Sequence, residues 1–143
     1  MSFIWIIHTG YSGKICEKVI LKTKHKHKVG KYIRENLSDV FFIFTKFCVC
    51  NSHGKIKEDL NFLYNKNSEY DFYNDDHREA IIEEISNVLE SYTNEEIVDE
   101  LWGTSSDSER DYATISKISV NDIIALWLLL LNLIFINNNL WLF

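Results

Sequence analysis

Apolar and polar positions change period along the chain, and each change marks an element. Phe3 to Ile7 is a run of aromatic and β-branched residues followed by His8, which predicts a buried strand. Thr9-Gly10-Tyr11-Ser12-Gly13 has turn chemistry, because glycine reaches positive φ without steric cost. Ile15 to Leu21 resumes the β-rich pattern, so residues 3–21 read as a hairpin. After a polar connector, Val29, Tyr32, Ile33 and Leu37 recur at helical spacing and predict a helix over about 28–37. Gly30 weakens that helix by about 1 kcal/mol relative to alanine. Val40 to Cys50 carries Phe and β-branched residues on both parities, which predicts a strand covered on both faces.

Asn51-Ser52-His53-Gly54 breaks the pattern, and Ile56 to Tyr64 reads as a short helix or a loop with aromatic anchors. The clearest helix follows the polar stretch Asn65 to Asp75. Asp76 with Glu79 resembles a capping box, and Ile81, Ile85, Val88, Leu89 and Tyr92 lie on one stripe, with Glu83, Glu84 and Glu90 outside it. Asn94, Glu95 and Glu96 start another short helix with Ile97, Val98, Leu101 and Trp102 inward and Gly103 as its stop. Tyr112 to Val120 is ambiguous: Tyr112, Ile115 and Ile118 fit a three-residue repeat, while Thr-Ile-Ser-Lys-Ile-Ser-Val favours a strand. Ser119 with Asp122 marks the start of a final helix through Ile136.

That final helix is apolar on all sides from Ile123 to Ile136, so it must be buried in protein or in lipid. Its fourteen residues span about 21 Å, against about 30 Å of membrane hydrocarbon. Extension through Leu140-Trp141-Leu142-Phe143 supplies the missing length but sets Asn137, Asn138 and Asn139 in the apolar layer beside Asn132. Length and amides favour a core helix with Leu140 to Phe143 folded back on the body or docked on a neighbouring chain. A membrane attachment through Ile123 to Phe143 is the alternative, without the basic flanking residues that usually accompany one.

Composition narrows the class. The 143 residues contain no proline, five glycines and three cysteines, and 46% are hydrophobic. A chain of this size buries roughly two-thirds of its unfolded surface without a disulfide or metal staple, and an odd cysteine count fits a reducing, intracellular and cytoplasmic setting. With neither repeat nor linker, residues 1–143 read as one compact domain of α+β class: an N-terminal hairpin, one or two further strands, and a mainly helical C-terminal half. Lys, Asn, Ile, Phe and Tyr, all with AT-rich codons, number 12, 13, 18, 9 and 7. Such usage points to an AT-rich genome, large DNA viruses among the candidates. Charge is lopsided: residues 1–57 hold eleven Lys and Arg against three acids, whereas residues 58–143 hold four against eighteen. The halves either face each other in one fold or separate a basic patch from an acidic remainder.

The candidate chemistry is sparse. Gly10-Tyr11-Ser12-Gly13-Lys14 fits neither a phosphate-binding loop nor a nucleophile elbow, since its glycines are too close and Ile15 follows the lysine. Cys48-Val49-Cys50 with His53, and Cys16 or His77 as a further ligand, lacks knuckle spacing and reads as buried thiols. Acid pairs Asp75/Asp76, Glu83/Glu84 and Glu95/Glu96 miss calcium-loop spacing and read as helix-stabilising charges. His8 is the histidine best placed for a site. Serines with acids at Ser105 to Glu109 would suit phosphorylation, and Asn36-Leu37-Ser38 formally matches a glycosylation acceptor. Lys22, Lys24, Lys26, Lys28 and Lys31 crowd within ten residues without an acid among them, which suits point-charge contact with a polyanion, but Tyr32 alone could stack a base nearby. No catalytic constellation, metal site, cofactor or small-molecule substrate is indicated. The expected function is a non-catalytic interaction or structural protein with a protein partner or self-association. The alternatives are a nucleic-acid contact at the lysines and membrane attachment by the apolar helix.

Overall fold

The computed structural model describes residues 2–11, 18–47, 54–102 and 111–141. Strand β1 (Phe3–Tyr11) is central in a three-stranded antiparallel sheet of order β2-β1-β3, with β2 at Lys18–Thr23 and β3 at Asp111–Ser119. The expected antiparallel pair is present, with Trp5 opposite Thr23, Thr9 opposite Lys18 and an irregularity between Ile7 and His8, but Thr9–Tyr11, expected in the turn, belong to β1, and Ser12 and Gly13 lie outside the described residues. Across its other edge β1 pairs from Phe3 with Ser119 to Tyr11 with Asp111. Alternation gives the sheet a buried face carrying Trp5, Ile7, Ala113 and Ile115. The β-branched composition of residues 112–120 thus prevails over their three-residue repeat.

Helices cover that face. They are α1 (Lys26–Glu35), α2 (Phe41–Phe47), α3 (Lys55–Asp59), α4 (Asn61–Tyr64), α5 (Arg78–Leu89) and α6 (Asn94–Leu101). Together with the sheet they bury Val29, Ile33, Phe44, Leu60, Ile85 and Ile97 in one apolar cluster. Each such side chain contributes about 1.5–3 kcal/mol when taken fully from water. The α+β class is therefore as the pattern predicts.

Two further expectations are corrected within this body. Phe41–Phe47 forms a helix where a strand is expected; positions 48–50 lie outside the described residues. Val40, Ile43 and Phe44 are buried at spacings of three and four, so packing on helical neighbours overrides the β propensity of the run. The capping role expected of Asp76 belongs instead to Asn74, whose side chain accepts from the Asp76 N–H at 3.0 Å and opens a 3-10 turn at Asp75–His77 before α5. The start of α6 follows expectation and adds a full capping box. Thr93 Oγ1 accepts from the Glu96 N–H at 3.2 Å, while Glu96 Oε2 accepts from the Thr93 N–H at 2.8 Å.

Close packing of α1 on α6 explains Gly30. A Cβ there would lie 2.0 Å from the Asn94 carbonyl oxygen, so the helix gives up propensity in exchange for interhelical approach. One turn further, Arg34 donates from Nη1 to Leu89 O at 2.6 Å, from Nη2 to Tyr92 O at 2.5 Å and from Nε to Asn94 Oδ1 at 3.3 Å. It thereby satisfies carbonyls left open at the end of α5 and ties α1 to the α5–α6 connection.

The largest departure is α7, Val120–Trp141, a helix of 22 residues. It is not the core helix that the apolar run predicts. Among the described residues none of the buried cluster comes from it, and Ile124, Leu126–Leu131 and Leu133–Phe135 are each 52–66% exposed. The sheet and the helices packed on it bury their apolar cluster without α7, which continues from the end of β3 and meets the body against that strand. The expected packing of Leu142 and Phe143 lies outside the described residues.

Candidate functional site

The apolar surface of α7 has no polar side over its exposed length. Successive helical residues are about 100° apart, so Leu126 to Leu131 alone point in every direction around the axis. Asn132 interrupts the surface with one amide, and no charged residue follows Asp122 in the chain. Among the described residues, no helix is long and apolar enough to cross a membrane.

At the root of α7 the Val120 N–H donates to Ser2 O at 3.1 Å, which fixes the helix to the sheet end where β1 begins. Beside it stands a cluster drawn from three elements. Lys117 Nζ lies 4.1 Å from the Phe3 ring centroid, 5.2 Å from Trp5 and 5.1 Å from Trp102. Trp5 and Trp102 meet edge to face, with centroids 6.1 Å apart. Trp102, expected to point inward, is 43% exposed. Each cation–π contact contributes about 0.5–1 kcal/mol at an exposed site. The cluster is invisible in sequence, because β1–β3 pairing joins residues more than a hundred positions apart.

The lysines do not act as one unit. Lys22 lies on β2 opposite Ile6, one residue before its end, Lys24 follows the strand, and Lys28 lies in the first turn of α1; all three are exposed. Lys26 is half-buried and ion-paired with Asp99 on α6. Lys31 is exposed, 4.0 Å from Glu35 one helical turn away.

Other candidates resolve into structural roles or lie outside the described residues. His8 is half-buried on the ladder, its Nε2 2.7 Å from Thr114 Oγ1. His77 Nδ1 accepts from the Asp71 N–H at 2.9 Å. Asp75 pairs with Arg78 at 3.3 Å, and Glu96 completes the α6 cap. Asn36 is the C-cap of α1, its Nδ2 donating to Tyr32 O at 3.0 Å. A cavity of about 270 Å³ is lined by Thr45, Tyr64, Tyr70 and Phe72, and Phe72 stacks between Phe41 and Tyr64 at 5.6 and 4.7 Å. Its aromatic wall is packing surface, since the Tyr64 hydroxyl donates to Phe44 O at 2.8 Å. Among the described residues, no three or more His, Cys, Asp or Glu are grouped to hold a metal ion. Cys16, Cys48, Cys50, His53, the turn Ser12–Lys14 and the serines of Ser105–Glu109 lie outside the described residues.

Comparison with protein-family models, with curated proteins and with solved structures gives no match.

Proposed function

We propose that this protein is a non-catalytic attachment protein whose α+β head is held to a membrane by insertion of α7 into the apolar layer. The observation that carries the reading is the exposure of apolar side chains all round that helix. A single partner helix or a groove covers one face; acyl chains cover every face at once. Ten large side chains, each about half exposed, would contribute on the order of 10 kcal/mol on leaving water. Burying the Asn132 amide costs about 2–7 kcal/mol, and Asn137, Asn138 and Asn139 add to that cost wherever they enter the layer. Inclined by about 45°, the apolar stretch Ile123 to Ile136, about 21 Å long, reaches the depth of one leaflet, about 15 Å. An intracellular setting belongs to the same reading, as the odd cysteine count suggests.

Flotation tests it. The full chain, mixed with neutral phosphatidylcholine vesicles and centrifuged through a density gradient, should rise with the lipid and resist alkaline carbonate. The double variant Leu128→Glu/Leu131→Glu should stay at the bottom. Wild-type protein that remains at the bottom and sediments as a discrete oligomer would replace lipid with further copies of the chain and overturn the reading.

A further inference from the structure

We infer that the sheet end from which α7 emerges is built to meet anionic lipid headgroups, with Lys22, Lys24 and Lys28 as the contacting charges. The inference rests on the membrane reading of α7 and adds the lipid class and the residues that select it.

Strand register supplies the geometry. Phe3 pairs with Ser119, the residue before α7. Trp5 pairs with Lys117 on one side and with Thr23 on the other. The three strands thus bring the end of β2, the beginning of β1 and the end of β3 to one edge of the sheet. Neighbouring strands are about 4.8 Å apart, so β2 ends about 10 Å from the strand that launches the apolar helix. Lys22 and Lys24 flank Thr23 at that edge, and Lys28 follows in the opening turn of α1. An interval of about 10 Å is close to one Debye length at physiological salt, so a surface that receives α7 lies within reach of these charges.

The ring cluster at the root points the same way. Trp rings and lysine ammonium groups concentrate where hydrocarbon gives way to headgroups, because each has an apolar body and a polar end. Here Trp102 and the Lys117 ammonium lie at the level where α7 begins. The missing basic flank of the apolar run is therefore supplied in space by β2 and α1, not by chain neighbours. Lys26 does not join the surface, because Asp99 holds it. Anionic lipid is favoured over nucleic acid because Lys22 and Lys24 lie at the sheet end from which the apolar helix leaves, and because Tyr32 alone could stack a base beside the lysine run. The anionic leaflet of a cell membrane is the cytoplasmic one.

The test compares full-length wild type with Lys22→Gln/Lys24→Gln/Lys28→Gln on vesicles of phosphatidylcholine alone and with added phosphatidylserine. Each lysine near an anionic surface should be worth about fivefold in partitioning. Wild type should prefer anionic vesicles, and the triple variant should lose on the order of a hundredfold on them while matching wild type on neutral ones. High salt should erase the difference, and the triple arginine variant should restore it. Equal partitioning of wild type onto both vesicles would overturn the inference and leave the attachment reading standing. Failure to bind either vesicle would overturn both. Binding to a fluorescent single-stranded oligonucleotide that the same three glutamines abolish, without anionic-lipid preference, would assign the lysines to nucleic acid and overturn the inference.

Discussion

Single side chains hold the head together by closing specific gaps between helices, and Tyr92 is one whose closure depends on pH. Its hydroxyl donates to Asp59 Oδ2, joining the connection after α5 to the end of α3. Desolvation first, then the hydrogen bond and charge of Asp59, with Glu100 and Glu96 beyond, push the phenol from 10.0 to about 12. The folded state therefore retains a proton that the unfolded chain releases, and the associated stability is complete below pH 10 and falls between pH 10 and about 12. Urea midpoints measured across that interval should decline, and Tyr92→Phe should flatten the decline while lowering stability at neutral pH. An unchanged slope in Tyr92→Phe would assign the alkaline loss to other groups. Little of this was legible in sequence. Tyr92 falls on the apolar stripe expected from the sequence, past the end of α5 at Leu89, but the carboxylate it meets is 33 positions away.

At the scale of elements, local signals succeeded where composition and period agree and failed where they compete. The hairpin, α1, α5 and α6 each carry agreeing turn, spacing or capping signals. Residues 40–50 do not: Phe, Ile and Val satisfy strand propensity, and the same residues also place Val40 and Phe44 one helical turn apart. Tertiary packing decides, since Phe41 stacks on Phe72 and lies 5.0 Å from the Arg78 guanidinium, contacts with residues 31 and 37 positions later. A helical α2 makes Phe44 a core residue and leaves Phe42 half-exposed, an inequality that a strand covered on both faces would not produce. Phe44→Ala should therefore cost about 3–5 kcal/mol, and Phe42→Ala less than half as much. Denaturation of the two variants would show it; equal losses would restore the strand.

For the whole molecule, the question is whether α7 belongs to the folding unit. Sequence establishes only that an all-round apolar helix needs cover; it does not say whether the cover comes from the same chain, because that depends on whether the other elements fill their own interior. Among the described residues the buried cluster draws on the sheet, on α1–α6 and on the connections that carry Leu37, Val40, Leu60 and Phe72, with nothing from α7. The lysines were legible as a dense run, yet their relation to α7 was not, since it arises from the register of β2, β1 and β3 and not from sequence proximity. A head that closes without α7 should be thermodynamically indifferent to it. In dilute solution, Leu128→Glu/Leu131→Glu should leave the denaturant midpoint of the head within about 0.5 kcal/mol of wild type, the range of ordinary surface substitutions, whereas Ile85→Ala should lose about 2–5 kcal/mol. Wild type must be measured at concentrations low enough to suppress association through the exposed helix, because association would add its own linkage to the midpoint. A loss in the double glutamate variant comparable to that of Ile85→Ala would mean that α7 packs on the head in solution. The exposed rod would then be one state of a helix that the head can also shelter, and lipid would have to compete with the head for it.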